Sequence, residues 1–443
     1  MLLKYSVSNF KSIGQNIEFS MLPLDDEDDR FLTEIDTVAG KWKVLKRGVF
    51  LGPNASGKTS FVQSLAYARN YIIKEGAKIL PATRVNQFKE RVTEFDNVTT
   101  FQFIMYIDKE IYNYGFSMDN IYVHEEWLAV MEENGSFKYL FERTTNDQKD
   151  TKIDVYPENL CRNVKENKFI KLLSESFEKK QARKLFLCRL SQDFSFTVAD
   201  KICSWFNDIN IIYPNSTLQD LPVIIRYQTK LRDFLSEKLQ ILDTGVNAVT
   251  TSAKKMQLSD FAEKYNVPEE LINEIQEVQN GSLGVNGKLF VFGEEENVIK
   301  LIEVKFEHLL YNKQTIFNME DESDGTQRLM DLLPILFSIK NNQGGIFIID
   351  ELDRSLHTKL SKYFINQFVK DASRQQLLFT AHDVNLLSLD NFRQEEIWFI
   401  EKNMNGETQL KPFSDFDLKE NQNILKDYLA GRFGAVPVIR EVH

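Results

Sequence analysis

One octapeptide restricts this chain more than any other feature: Gly52-Pro53-Asn54-Ala55-Ser56-Gly57-Lys58-Thr59. It follows VLKRGVFL (44–51), which reads as a strand, and precedes SFVQSLAYARNYII (60–73), whose apolar residues recur at helical spacing. GxxxxGK[ST] between a strand and a helix is a phosphate loop. Its glycines let the backbone curl so that successive N–H groups face phosphate oxygens, and the helix start adds its positive dipole end. Lys58 is placed to reach β- and γ-phosphates, Thr59 to hold Mg²⁺, and Ser60 continues the loop into the helix.

A second segment fits the first. Ile346-Phe347-Ile348-Ile349 reads as a buried strand, and Asp350 and Glu351 emerge at its carboxyl end, where open α/β sheets bind ligands. Asp350 is then a candidate Mg²⁺ ligand and Glu351 a candidate base toward water. Alone this pattern is weak, since many buried strands end in acids; its weight comes from the phosphate loop. Glu322-Ser323-Asp324-Gly325-Thr326-Gln327-Arg328 opens an apolar helix pattern. Taken alone it reads as an ordinary N-cap turn, and as an anion-binding helix start only in company. His382 follows the buried strand LLFT and can contact a γ-phosphate oxygen or be a hydrogen-bonded structural histidine.

Strands at 346–349, 375–383 and 395–403 alternate with helical patterns at 326–340 and 357–370, so the fold class is α/β with a mainly parallel sheet. Short strands at the start of the chain and at 99–143 imply a second sheet. From about 158 to 280 the pattern turns helical, with a local basic excess between Arg162 and Lys184 that reads as the wet face of a helix.

The chain has 443 residues and a net charge of −11. That balance argues against coating nucleic acid by bulk charge. Three cysteines without a CxxC pair fit a reducing, cytoplasmic setting and read as small buried hydrophobes. No apolar run is long enough to span a membrane. Sustained heptads and HExxH spacing are absent from the sequence.

GPNASGKT, Ser-x-Gly, hhhhDE and the later histidine, in this order, resemble the ABC-type, SMC-like P-loop ATPases. Gly325, Glu351 and His382 follow one another at intervals of one helix and one strand, and the longer gap after Gly57 leaves room for an inserted lobe. NFKSI (9–13), IIDELDRSLH (348–357), FTAHD (379–383), IWFIEKN (397–403) and YLAGRFGAVP (428–437) further resemble the stand-alone bacterial AAA family ATPases of abortive-infection and anti-phage defence. The resemblance implies ATP and Mg²⁺ as cofactors and a site shared by two heads. One head would supply Gly52 to Ser60, Asp350 and Glu351; the other would supply Ser323 and Gly325. It implies Lys11 and Ser12 near the nucleotide, Gln87 as a metal-contacting glutamine, and Asp353 and Ser355 at the dimer seam. His357 belongs there or at a helix start. The signature departs from the longer ABC form, with Asp324 and Thr326 where glycine or glutamine stand.

The expected organisation is 1–157 and 286–443 as the two parts of an ATPase head of ABC/SMC type, with 158–285 as an inserted, mainly helical lobe. The expected activity is ATP hydrolysis by a switch that forms a homo-oligomer and controls a separate effector, such as a TOPRIM-type nuclease, in phage defence. DNA or a phage protein is a candidate partner, and no membrane is expected. The alternative is an SMC- or recombination-mediator-like ATPase that clamps DNA in repair.

Overall fold

A computed structural model describes residues 1–24, 29–74, 98–160, 164–177, 182–194, 197–215, 218, 220–277, 281–285, 287–295, 297–387, 392–416, 427 and 432. The chain divides into two compact units. The first comprises Met1–Tyr213, Gly344–Leu352 and Ala372–His443; the second comprises Pro214–Gln343 and Asp353–Asp371.

The first unit is built on two sheets. One is six-stranded, in the order Ile209–Ile212, Ile346–Ile349, Gln376–Ala381, Arg47–Leu51, Ile397–Lys402, Thr408–Pro412. Its first five strands pair in parallel, and the last is antiparallel to its neighbour. IFII and RGVFL are buried at every position, as expected for strands covered on both faces. The second sheet is antiparallel and seven-stranded, running from Thr151–Val155 through Phe137–Thr145, Val123–Met131, Glu110–Met118, Thr99–Ile107 and Leu2–Ser8 to Ile17–Ser20.

The helix Lys58–Ile73 joins the two sheets through aromatic packing. The ring of Phe61 lies 4.6 Å from Phe50 of the parallel sheet and 5.7 Å from Tyr5 of the antiparallel one. Each such buried ring contributes about 1.5–3 kcal/mol, which keeps the start of this helix fixed beneath its loop. Gln376 adds a polar tie: its amide exchanges hydrogen bonds with the backbone of Leu2, at 2.6 and 2.9 Å.

The second unit is mixed α/β. Helices make up most of the described residues of 158–285, and the division between the two units falls within that span, after Tyr213. The second unit also carries an antiparallel sheet absent from the expectation, led by Val246–Gln257 and Val298–Leu310, which pair along their length. Val246–Gln257 (VNAVTTSAKKMQ) has few apolar residues and is half-exposed, so its alternation is faint in the sequence. Leu258, Phe261, Phe290 and Ile299 form a small core of their own. Among the described residues no helix is long and apolar enough to cross a membrane. Cys188 is buried and Cys203 partly so; Cys161 lies outside the described residues.

Candidate nucleotide-binding site

The loop after Arg47–Leu51 has the backbone that an anion cradle needs. Ala55 and Gly57 both adopt positive φ, +62° and +114°. Alternating left-handed residues turn successive N–H groups to one side. The glycines are dictated by space as well. A Cβ at Gly52 would lie 2.1 Å from the Ile400 carbonyl oxygen, and one at Gly57 would lie 2.0 Å from Thr408 Oγ1. Lys58 is buried, and its Nζ donates to the carbonyls of Gly52 at 2.6 Å and Pro53 at 3.0 Å. The buried Ser56 hydroxyl has no hydrogen-bond partner among the described residues. Pro53 is half-buried, and Asn54 and Ala55 are exposed at the loop crest.

The two acids stand on the strand two places away in the same sheet. Asp350 is almost fully buried, and its Oδ2 accepts from the Thr59 hydroxyl at 2.9 Å. Its Oδ1 accepts from the Thr380 hydroxyl at 2.7 Å, and the Glu351 N–H donates to that same hydroxyl at 2.7 Å. Glu351 is itself left-handed, with φ +50°. Its Oε1 lies 3.7 Å from His382 Nε2. Burial first, and then the charge of Asp350, push the Tyr213 hydroxyl above its ordinary pKa.

The N-terminal segment also arrives at the loop. Ser12 Oγ shares a hydrogen bond with Ser60 Oγ at 2.9 Å and another with Thr408 Oγ1 at 2.8 Å, and the Thr408 hydroxyl donates to the Ser56 carbonyl at 2.9 Å. Lys11, also at positive φ, hydrogen-bonds Gln63 on the loop's own helix, and burial lowers its pKa. Thr380 and Thr408 are the members of this web that sequence reasoning missed. A threonine in a strand reads as β-branched filler; the signal lay in their places beside the acids and opposite the loop glycine. Gln87 lies outside the described residues.

Ser323 and Gly325 lie in the second unit. Ser323 caps the helix Asp324–Lys340: its Oγ accepts from the Thr326 N–H at 3.2 Å. A Cβ at Gly325 would stand 3.0 Å from the Ser355 carbonyl oxygen, so the turn and Ser355 are in tight backbone contact. Ser355 is exposed, with φ +59°. Arg354, after Asp353, bonds Asn215 at 2.6 Å. His357 stands at a helix start, its Nδ1 accepting from the Lys359 N–H at 3.1 Å.

The donor set fits a magnesium nucleotide. The loop offers a cradle, a buried lysine and an unspent buried hydroxyl; Thr59 and Asp350 offer two adjacent oxygens for a hard cation. Strand, loop, helix and acid in this order on a parallel sheet define a P-loop nucleotide-binding protein.

The family can be stated more closely. A profile described as "AAA domain, putative AbiEii toxin, Type IV TA system" matches residues 49–388, and the chain belongs to that family. No curated protein matches it. Among solved structures, an SMC head bound to the C-winged helix domain of ScpA aligns at 11% identity and TM-score 0.40, covering 93% of this chain and 96% of that one. The SMC head domain from Thermotoga maritima aligns at 10% identity and TM-score 0.36, covering 94% and 99%. At these scores the likeness is loose.

Proposed function

We propose that this protein is an ATP-hydrolysing switch whose two-headed assembly controls a separate effector in a defence system. The observation that carries the ATPase reading is the 2.9 Å bond between Thr59 and Asp350, which brings the phosphate loop and the acidic strand to one point. The defence reading is supported by the family's description as AbiEii-related.

Bound as its magnesium complex, ATP supplies the terminal phosphoryl group that water accepts. The loop amides from Gly52 to Thr59 hold the phosphates, and Lys58 exchanges its bonds to loop carbonyls for phosphate oxygens. Thr59 and Asp350 would hold the metal. The Glu351 carboxylate orients the attacking water and accepts its proton, and His382 faces the same side of the site. Such catalysis is positioning and charge stabilisation. In this reading Ser323 and Gly325 complete the site of a second copy, so turnover depends on assembly, and ATP state sets whether the effector is held or released.

The test is phosphate release by the full chain over a range of protein concentrations, beside Lys58→Ala. The reading predicts specific activity that rises with concentration and falls by about two orders of magnitude or more in the variant. Equal turnover in Lys58→Ala contradicts the site. DNA affinity that falls steeply with salt would instead favour a DNA-clamping ATPase.

A further inference from the structure

We propose that Thr380 is a positioning residue for phosphoryl transfer: its hydroxyl fixes the backbone of Glu351 and selects the oxygen of Asp350 that faces the metal. The inference rests on the ATPase reading above and names a residue which that reading does not use.

Thr380 lies on Gln376–Ala381, between the strand that feeds the phosphate loop and the strand that ends in the acids. It is fully buried. From there it grips three consecutive residues. Its hydroxyl donates to Asp350 Oδ1 at 2.7 Å, it accepts from the Glu351 N–H at 2.7 Å, and its carbonyl accepts from the Leu352 N–H at 3.0 Å. The proton count fixes the direction of these bonds. A hydroxyl has one proton, and a backbone N–H can only donate. The Thr380 oxygen therefore accepts from Glu351, and its proton goes to Asp350 Oδ1.

Two consequences follow. Oδ1 is engaged by Thr380, so Oδ2, already beside the Thr59 hydroxyl, is the edge turned to the metal. Glu351 is also held at φ +50°, a conformation that costs a side-chain-bearing residue about 1–2 kcal/mol and that its neighbours must impose. The Thr380 hydroxyl is one such neighbour, and it acts on the residue assigned to orient water. A role in packing alone would need the methyl and the branched shape, not the hydroxyl.

Thr380→Val and Thr380→Ser separate these. The full chain, both variants and Lys58→Ala are assayed for steady-state phosphate release against ATP and against Mg²⁺, with melting temperatures alongside. The proposal predicts that valine lowers kcat about 10²-fold, changes KM for ATP by less than about 3-fold and raises the Mg²⁺ needed for half-maximal rate. Serine restores kcat to within about 5-fold, because the hydroxyl is what matters. Wild-type kcat in the folded valine variant overturns the proposal. So does a serine variant as slow as valine, which would assign the effect to the methyl. Absence of Lys58-dependent turnover in the unaltered chain overturns the ATPase reading itself, a result distinct from either.

Discussion

The phosphate loop and the signature turn both begin a helix with small residues, yet they are built differently. Around the loop, side chains from remote parts of the chain converge: Ser12, Asp350, Thr380 and Thr408 all bond the loop, its helix start or one another. At the signature turn, Ser323 turns its hydroxyl back on its own helix, to Thr326. The loop is thus braced from outside, and within it the Ser56 hydroxyl has no hydrogen-bond partner among the described residues. The signature turn is a cap complete within one chain: the Ser323 hydroxyl accepts the Thr326 N–H and keeps a proton to donate. The first arrangement suits binding by one chain alone, and the second suits a contact made on assembly.

Three experiments probe that contrast, the largest effect first. Glu351→Gln leaves the loop and metal oxygens intact but removes the carboxylate that takes the proton. Its kcat should fall by about 10²–10⁴-fold with ATP affinity retained, measured by phosphate release and equilibrium binding. An unchanged rate would reassign the base. Next, Lys58→Ala and Ser323→Arg should each be inactive alone, since one cannot hold phosphate and the other blocks the shared face. Mixed, they should recover activity, because a pair can carry one intact composite site. Failure to recover, with both proteins folded, would place Ser323 outside any shared site. The smallest effect is on stability. Ser323→Ala removes an N-cap and should cost about 1 kcal/mol, read as a lower denaturant midpoint with unchanged slope. A neutral result would show that the cap bond to Thr326 contributes nothing to the fold.

Much of the first region was legible in the sequence, because phosphate chemistry demands particular residues in a fixed order. Gly52, Gly57, Lys58 and Thr59 leave few alternatives, and IFIIDE, an apolar run that ends in two acids, takes its meaning from that loop. The bracing was not legible. Thr380 and Thr408 act through positions that only the sheet order brings beside Asp350 and the loop, and order among non-consecutive strands is a long-range property. The second unit was less legible still. Val246–Gln257 presents threonine, serine and lysine on a half-exposed sheet, so neither face supplies a clear period. His357 was undecided between two readings, a helix start or a seam between heads, and its bond to the Lys359 N–H fits the first without bearing on the second.

The central claim is that ATP drives assembly through a site that one chain cannot complete. Its most direct test is the solution mass of Glu351→Gln by light scattering, with and without ATP and Mg²⁺. The account predicts a larger, stable species only when both are present, and its loss when Ser323→Arg is added to the same chain. A mass indifferent to ATP and Mg²⁺, in a chain shown to bind both, would contradict it and leave the phosphate site as the property of a single chain.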